Sequence, residues 1–120
     1  MVFSYYVGMT DCLFCKIIAG SEPSEKVLET EGFLVIKNKF PAAPVHLLVL
    51  SKEHREKPDT ISGGHRGFWD GMVAAAWEAI KEAKLEGAYK LVVNGGAYSH
   101  FPHEHLHVLG GTVEEPGGRT

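Results

Sequence analysis

Only two cysteines, Cys12 and Cys15, occur in this chain of 120 residues, which is too few for a disulfide framework to supply its stability. No apolar run approaches the roughly 20 residues of a membrane-spanning helix. The first residues also lack the basic start and small-residue cleavage site of a signal peptide, so the expected location is cytoplasmic, with no membrane partner. Basic residues are nowhere concentrated. Twelve Lys plus Arg stand against fifteen Asp plus Glu, a formal net charge of −3, which argues against a nucleic-acid groove and leaves a nucleotide site open. There is no internal repeat and no low-complexity tract. With 44% hydrophobic and 22% charged residues, the composition is that of one soluble domain with material for a single core.

Histidine is better represented. Three of the seven fall in strict alternation in His103-Glu104-His105-Leu106-His107, followed by Val108-Leu109-Gly110-Gly111. Alternation is a strand pattern, and residues two apart on a strand share a face roughly 6.5 to 7 Å from one another. His103, His105 and His107 are therefore expected side by side. Three titratable rings in register pack no better than valine and cost more to bury, so the row reads as a set of nucleophile and acid candidates.

The remaining pattern places that row in an α+β domain. Residues 1–10 carry no charge in their first eight positions, and Met9-Thr10-Asp11-Cys12 reads as a second beginning, so 1–10 is expected to be an extension or remnant, 11–113 the domain and 114–120 a loose tail. Asp11 can cap a short helix that Gly20 closes. Lys26 to Glu29 and Phe33 to Lys37 form a hairpin across Thr30-Glu31-Gly32, and Val45 to Leu50 is apolar enough to lie centrally in a sheet, with His46 its odd member. Apolar residues from about Gly67 to Glu86 repeat at helical spacing, and Gly87 can end that helix. Tyr89 to Asn94 and the histidine strand complete five strands. Phe68, Trp69, Met72, Val73, Trp77 and Ile80 spread too widely around the long helix for one stripe, which points to a second copy of the chain as partner.

Cys12-x-x-Cys15 at a helix start has three readings: a redox dithiol, two idle thiols, or half of a zinc site. A redox pair usually has a βαβ context, which is missing, and a zinc site needs two more ligands.

On these motifs the chain resembles the histidine triad family of nucleotidyl hydrolases and transferases, from about Asp11 to Gly111. The matching pieces are Asp11-Cys12-Leu13-Phe14-Cys15-Lys16-Ile17-Ile18-Ala19-Gly20, Ser21-Glu22-Pro23-Ser24, Pro44-Val45-His46-Leu47-Leu48-Val49, Val93-Asn94-x-Gly96 and the triad itself. Val108-Leu109-Gly110-Gly111 is most similar to the branch of purine nucleoside phosphoramidases, sometimes called Hint-like. The dinucleoside polyphosphate hydrolases of the family commonly carry Pro-Arg there.

The resemblance implies a five-stranded antiparallel sheet with one long and one short N-terminal helix, and no organic cofactor. It implies that His105 attacks the α-phosphorus of a nucleoside 5′-phosphoramidate or related conjugate, giving a covalent nucleotidyl-histidine that water hydrolyses to the monophosphate. His107 would serve the phosphate and leaving group, His46 would orient the row, and His103 would complete it. For the nucleotide, the resemblance implies Asn38 at the ribose, Leu13 and Phe14 against the base, and Asn94 near the phosphate. An apolar helical face such as that of Leu13 and Phe14 also simply buries itself. The loop Ala97-Tyr98-Ser99-His100-Phe101-Pro102 looks two residues shorter than in the phosphoramidase branch, and the family serine's role there falls to Ser99 or to a backbone N–H near Phe101. Bacterial relatives pair the CxxC with two histidines that match His54 and His103, a closed Cys2His2 set for structural zinc. Phosphoramidase-type relatives are homodimers through the long helix and the strand before the triad. Dinucleoside polyphosphate hydrolysis, a nucleotide-binding regulatory module with little turnover, and a metal-dependent hydrolase using the histidine row are the competing functions.

Overall fold

The structure is a computed structural model that describes residues 11–62 and 67–120. The expected extension, residues 1–10, lies outside the described residues. Helix α1 (Leu13–Ala19) leads into β1 (Lys26–Glu29), β2 (Phe33–Lys37) and β3 (Val45–Ser51); a one-turn helix α2 (Lys57–Thr60) and the long helix α3 (Phe68–Glu82) precede β4 (Tyr89–Val92) and β5 (His105–Gly110). The five strands form one antiparallel sheet in the order β1-β2-β3-β5-β4, so the most apolar strand, β3, is central as its composition requires.

Alternation along these strands sorts side chains onto two covered faces. Phe33, Val35, Leu47, Val49, Leu106 and Val108 pack on the α3 side against Met72, Ala75, Ala76, Ala79 and Ile80. Leu34, Ile36, Leu48 and Leu50 pack on the opposite side against Phe14 and Ile17 of α1. His46, His105 and His107 fall on this second face by the same parity, so the long helix buries one side and leaves the other for the site.

Two helix boundaries differ from the sequence pattern, and β4 stops at Val92 where the pattern ran to Asn94. The α1 cap is Cys12, whose Sγ accepts the Cys15 N–H at 3.4 Å, and Asp11 lies outside it. Gly20 closes α1 in the left-handed region at φ 85°, as expected. Helix α3 ends before Gly87: Leu85 N–H donates to Ile80 O at 2.9 Å, and Lys84 takes the left-handed conformation at φ 57°. Burying Leu85, 4% exposed, in the core forces that turn and outweighs the preference for glycine there. The tail is also held. The Lys90 ammonium on β4 pairs with Glu115 and donates to the carbonyls of Pro116 and Gly118.

Gly110 and Gly111 have a packing reason. A Cβ on Gly110 would stand 2.5 Å from Ala88 O, and Gly111 has φ 85° with Val45 pressed against it.

Candidate active site and metal-ligating cluster

The histidine row divides between two jobs. Regular β5 begins only at His105, and His103 sits in the bend before it, with its ring turned to the two cysteines. His103 Nδ1 lies 3.3 Å from Cys12 Sγ and 3.5 Å from Cys15 Sγ, while Cys15 Sγ lies 3.2 Å from His54 Nδ1. One ligand atom from each of Cys12, Cys15, His54 and His103 fits within 4.8 Å of every other. A tetrahedral zinc, with sulfur at about 2.3 Å and nitrogen at about 2.0 to 2.1 Å, sets neighbouring sulfur and nitrogen about 3.6 Å apart. The outer nitrogens are held as well: His103 Nε2 donates to Ser51 O at 2.7 Å, and His54 Nε2 lies 2.9 Å from Glu56 Oε2. Both rings thereby present Nδ1 inward, the usual outer support of a metal-bound imidazole. The cluster could hold a metal ion, and its donors fit one. Without a metal, burial and then the Cys12 sulfur push the Cys15 thiol up to about 12. A bound cation reverses that preference by taking the thiolate.

The second job belongs to His105 and His107, whose ring centroids are 5.1 Å apart. His105 Nδ1 donates to His103 O at 2.8 Å, which fixes the neutral tautomer and leaves the Nε2 lone pair free. The tautomer of His107 follows from a backbone donor. Ala42 N–H donates to His46 Nδ1 at 2.9 Å, so neutral His46 carries its proton on Nε2 and donates it to His107 Nδ1, also at 2.9 Å. Neutral His107 then carries its proton on Nε2, 3.5 Å from Asn94 Nδ2, a second donor, so both N–H groups are available to a ligand oxygen.

His105 and His107 line a cavity of about 160 Å³. Leu13, Phe14 and Ile17 from α1, Ile36 and Leu48 from the sheet, and Phe40 and Phe101 from loops give it apolar walls; Asn38, Lys39 and His100 supply polar groups. A hydrocarbon-lined hole of about 150 Å³ takes a benzene molecule, so this volume suits a flat ring system. Phe14 and Phe101 meet at 4.7 Å between centroids, and Phe14 stands edge-on to His105 at 5.1 Å.

Leu13, Phe14, Asn38, Phe101, His105 and His107 thus line one cavity, with His46 and Asn94 behind or beside His107. Ser99 lines a separate hollow with Lys57, Pro102 and Glu104. His100, Phe40 and Lys39 line the first cavity without having been singled out from sequence; their adjacency to Phe101 and Asn38 was the available signal. Asn38 Oδ1 already accepts the Phe40 N–H at 2.8 Å, so the amide nitrogen, 3.3 Å from His46 Nε2, is its remaining polar group at the cavity.

Burial keeps these rings neutral. It pushes His107 down to about 4, with His105, His46 and His100 adding like-charge repulsion, and it lowers His46 as well. A histidine whose folded value is depressed contributes stability above the unfolded value of about 6.5 and loses it as pH falls toward the folded one. The urea midpoint is therefore expected to fall between pH 6.5 and pH 4, with the partly exposed His107 contributing on the order of 1 kcal/mol once solvent screening is allowed for. His107→Asn should flatten that slope, and a parent midpoint independent of pH over this window would contradict the assignment.

A small α+β protein with an imidazole nucleophile candidate, a tautomer-fixed second imidazole and a ring-sized apolar cavity has the makings of a nucleotide site. The chain belongs to the histidine triad family. Residues 11–120 match the family model described as "Scavenger mRNA decapping enzyme C-term binding". An uncharacterised HIT-like protein of Chlamydia trachomatis is 42% identical over 106 residues, covering 82% of this chain and 91% of that protein. A HIT family hydrolase from Clostridium thermocellum superposes with a TM-score of 0.80 at 35% identity, covering 88% of this chain and 94% of the other. A histidine triad nucleotide-binding protein from Candida albicans superposes with a TM-score of 0.72 at 27% identity, covering 91% and 85%.

Proposed function

We propose that this chain is a nucleotidyl hydrolase and transferase acting on purine nucleoside 5′-phosphoramidates or related nucleotide conjugates through a covalent nucleotidyl-His105. The observation that carries the reading is the 2.8 Å bond from His105 Nδ1–H to the His103 carbonyl, which leaves Nε2 unprotonated beside the cavity. Nε2 attacks the α-phosphorus, a P–Nε2 bond forms and the bond to the leaving amine breaks, the amine departing with a proton taken from solvent while His107 Nε2–H donates a hydrogen bond at the phosphate and leaving group. Water then attacks the same phosphorus and gives up one proton to solvent, the P–Nε2 bond breaks, and neutral His105 returns with the monophosphate released. The Asn38 amide serves the ribose, Asn94 the phosphate, and Leu13, Phe14 and Phe101 the base. Ser99 would reach the leaving group only by a movement of its loop.

A panel of nucleoside phosphoramidates and dinucleoside polyphosphates, each followed by release of monophosphate, tests the substrate class. Faster release from the amines supports the phosphoramidase reading; faster release from the polyphosphates transfers the chain to the other branch. Cys12, Cys15, His54 and His103 would hold zinc, which supplies structural cross-linking with no open position and no part in the displacement. No helix among the described residues is long and apolar enough to cross a membrane, which is compatible with the cytoplasmic address in this reading.

A homodimer belongs to the same reading. Trp77 and Tyr89, each 42% exposed, meet edge-to-face at 5.6 Å where α3 passes the sheet-edge strand β4, and Val93 is 43% exposed just beyond it. A two-fold contact would bury this patch. Light scattering at micromolar concentration is expected to give twice the chain mass, and Trp77→Glu to halve it; a monomeric parent would refute the dimer.

A further inference from the structure

Between the metal-cluster histidine and the nucleophile sits Glu104, whose carboxylate meets α2. It is 5% exposed, a burial that few charged groups reach without a reason. Lys57 Nζ donates to Glu104 Oε2 at 2.8 Å, and Thr60 Oγ1 donates to Glu104 Oε1 at 2.6 Å. The same short segment holds the main chain, for Glu104 N–H donates to Arg55 O at 2.7 Å. Helix α2 is itself moored to α3: Trp69 Nε1 donates to Thr60 O at 2.9 Å, and Lys57 Nζ lies 5.4 Å from the Trp69 ring centroid.

One peptide plane carries both consequences. The unit joining His103 and Glu104 has its N–H on Arg55 O, and its C=O is the acceptor for His105 Nδ1–H. Rotating that plane removes the acceptor, and an imidazole without it is free to place its proton on either nitrogen. We propose that Glu104 is a positioning residue that, through Lys57 and Thr60, clamps the 103–104 peptide plane and so sets the tautomer of His105. The clamp touches neither the cavity nor the reacting atoms. Its catalytic consequence rests on the reading of His105 as the nucleophile; its structural content does not.

The test reads the tautomer directly. In ¹⁵N-labelled protein at pH 7.5, long-range ¹H–¹⁵N correlations of His105 are expected to report protonated Nδ1 and unprotonated Nε2. Glu104→Ala should give a mixture of tautomers, with kcat lowered about 10- to 100-fold, the scale of loss seen when the outer hydrogen-bond partner of a metal-bound imidazole is removed, and KM changed less than about threefold. Glu104→Gln, which keeps an acceptor for the Thr60 hydroxyl, should restore the Nδ1–H tautomer and most of kcat. Should Glu104→Ala fail to fold, Thr60→Val removes one arm of the clamp and should shift the tautomer in the same direction. His105 wholly in the Nδ1–H form in the folded variant would overturn the proposal whatever the activity, since a merely structural glutamate lowers stability without moving the ring proton. If the tautomer shifts while His105→Ala remains active, the clamp stands and the nucleophile assignment fails.

Discussion

Replacing His105 with alanine is expected to lower turnover of a nucleoside phosphoramidate by about 10³-fold or more, with nucleotide affinity changed only a few-fold. The loss is large because the nucleophile does what no neighbour can do. His107 Nδ1 accepts from His46 and its Nε2 carries a proton, so that ring has no free lone pair; His103 faces the cysteines. Binding is spared because the cavity walls come from α1, β2, β3 and the loop at Phe101. Single-turnover measurement with the parent should trap a phosphorus-linked adduct on His105, detectable by mass after acid-free quenching. A variant rate within tenfold of the parent would remove the assignment.

Changing Cys12 to serine is expected to have the largest effect on stability. Cys12 contributes twice, as a sulfur of the Cys2His2 cluster and as the cap of α1, and it is 8% exposed in the smaller core. A serine oxygen still caps the helix but is a poor substitute for thiolate on zinc. Loss of the cluster frees α1, the segment at His54 and the bend at His103 from one another, and binding energy at such a site is folding energy. A loss of about 3 kcal/mol corresponds to roughly 10 °C in Tm for a domain of this size. Elemental analysis should fall from about one zinc per chain in the parent to well below it. Activity per folded molecule should fall less than stability does. A parent purified without chelator that holds no metal, and gains no Tm on added zinc, would refute the structural-zinc reading.

Much of the fold was legible because its signals are local. The apolar run at Val45 to Leu50 marked the central strand, the turn at Thr30-Glu31-Gly32 marked the β1–β2 hairpin, and Gly20 marked the end of α1. Local signals failed where a tertiary contact outweighed them. Gly87 offered a helix end, yet burial of Leu85 ended α3 earlier and placed a lysine in the left-handed region. Asp11 offered a cap, yet the sulfur of Cys12 already met the Cys15 N–H. The one-turn helix α2 was hidden in a polar stretch, too short for any periodicity to reveal, although it anchors Glu104.

The sequence by itself determined the family, the five strands and the chemistry at hand: imidazoles in alternation, a cysteine pair at a helix start and an apolar helical face. The tertiary structure decided how the three alternating histidines divide, because strand parity constrains which face a side chain takes and carries no information on where the strand begins or what lies beyond its end. His103 left the row for the cysteines of α1, 91 and 88 residues away in sequence. The register of β3 on β5, Leu48 opposite His107 and His46 opposite Leu109, set His46 diagonally beside His107 across 61 residues. That register is fixed by main-chain hydrogen bonds between distant segments and by burial of two faces at once, quantities that no local window of residues contains.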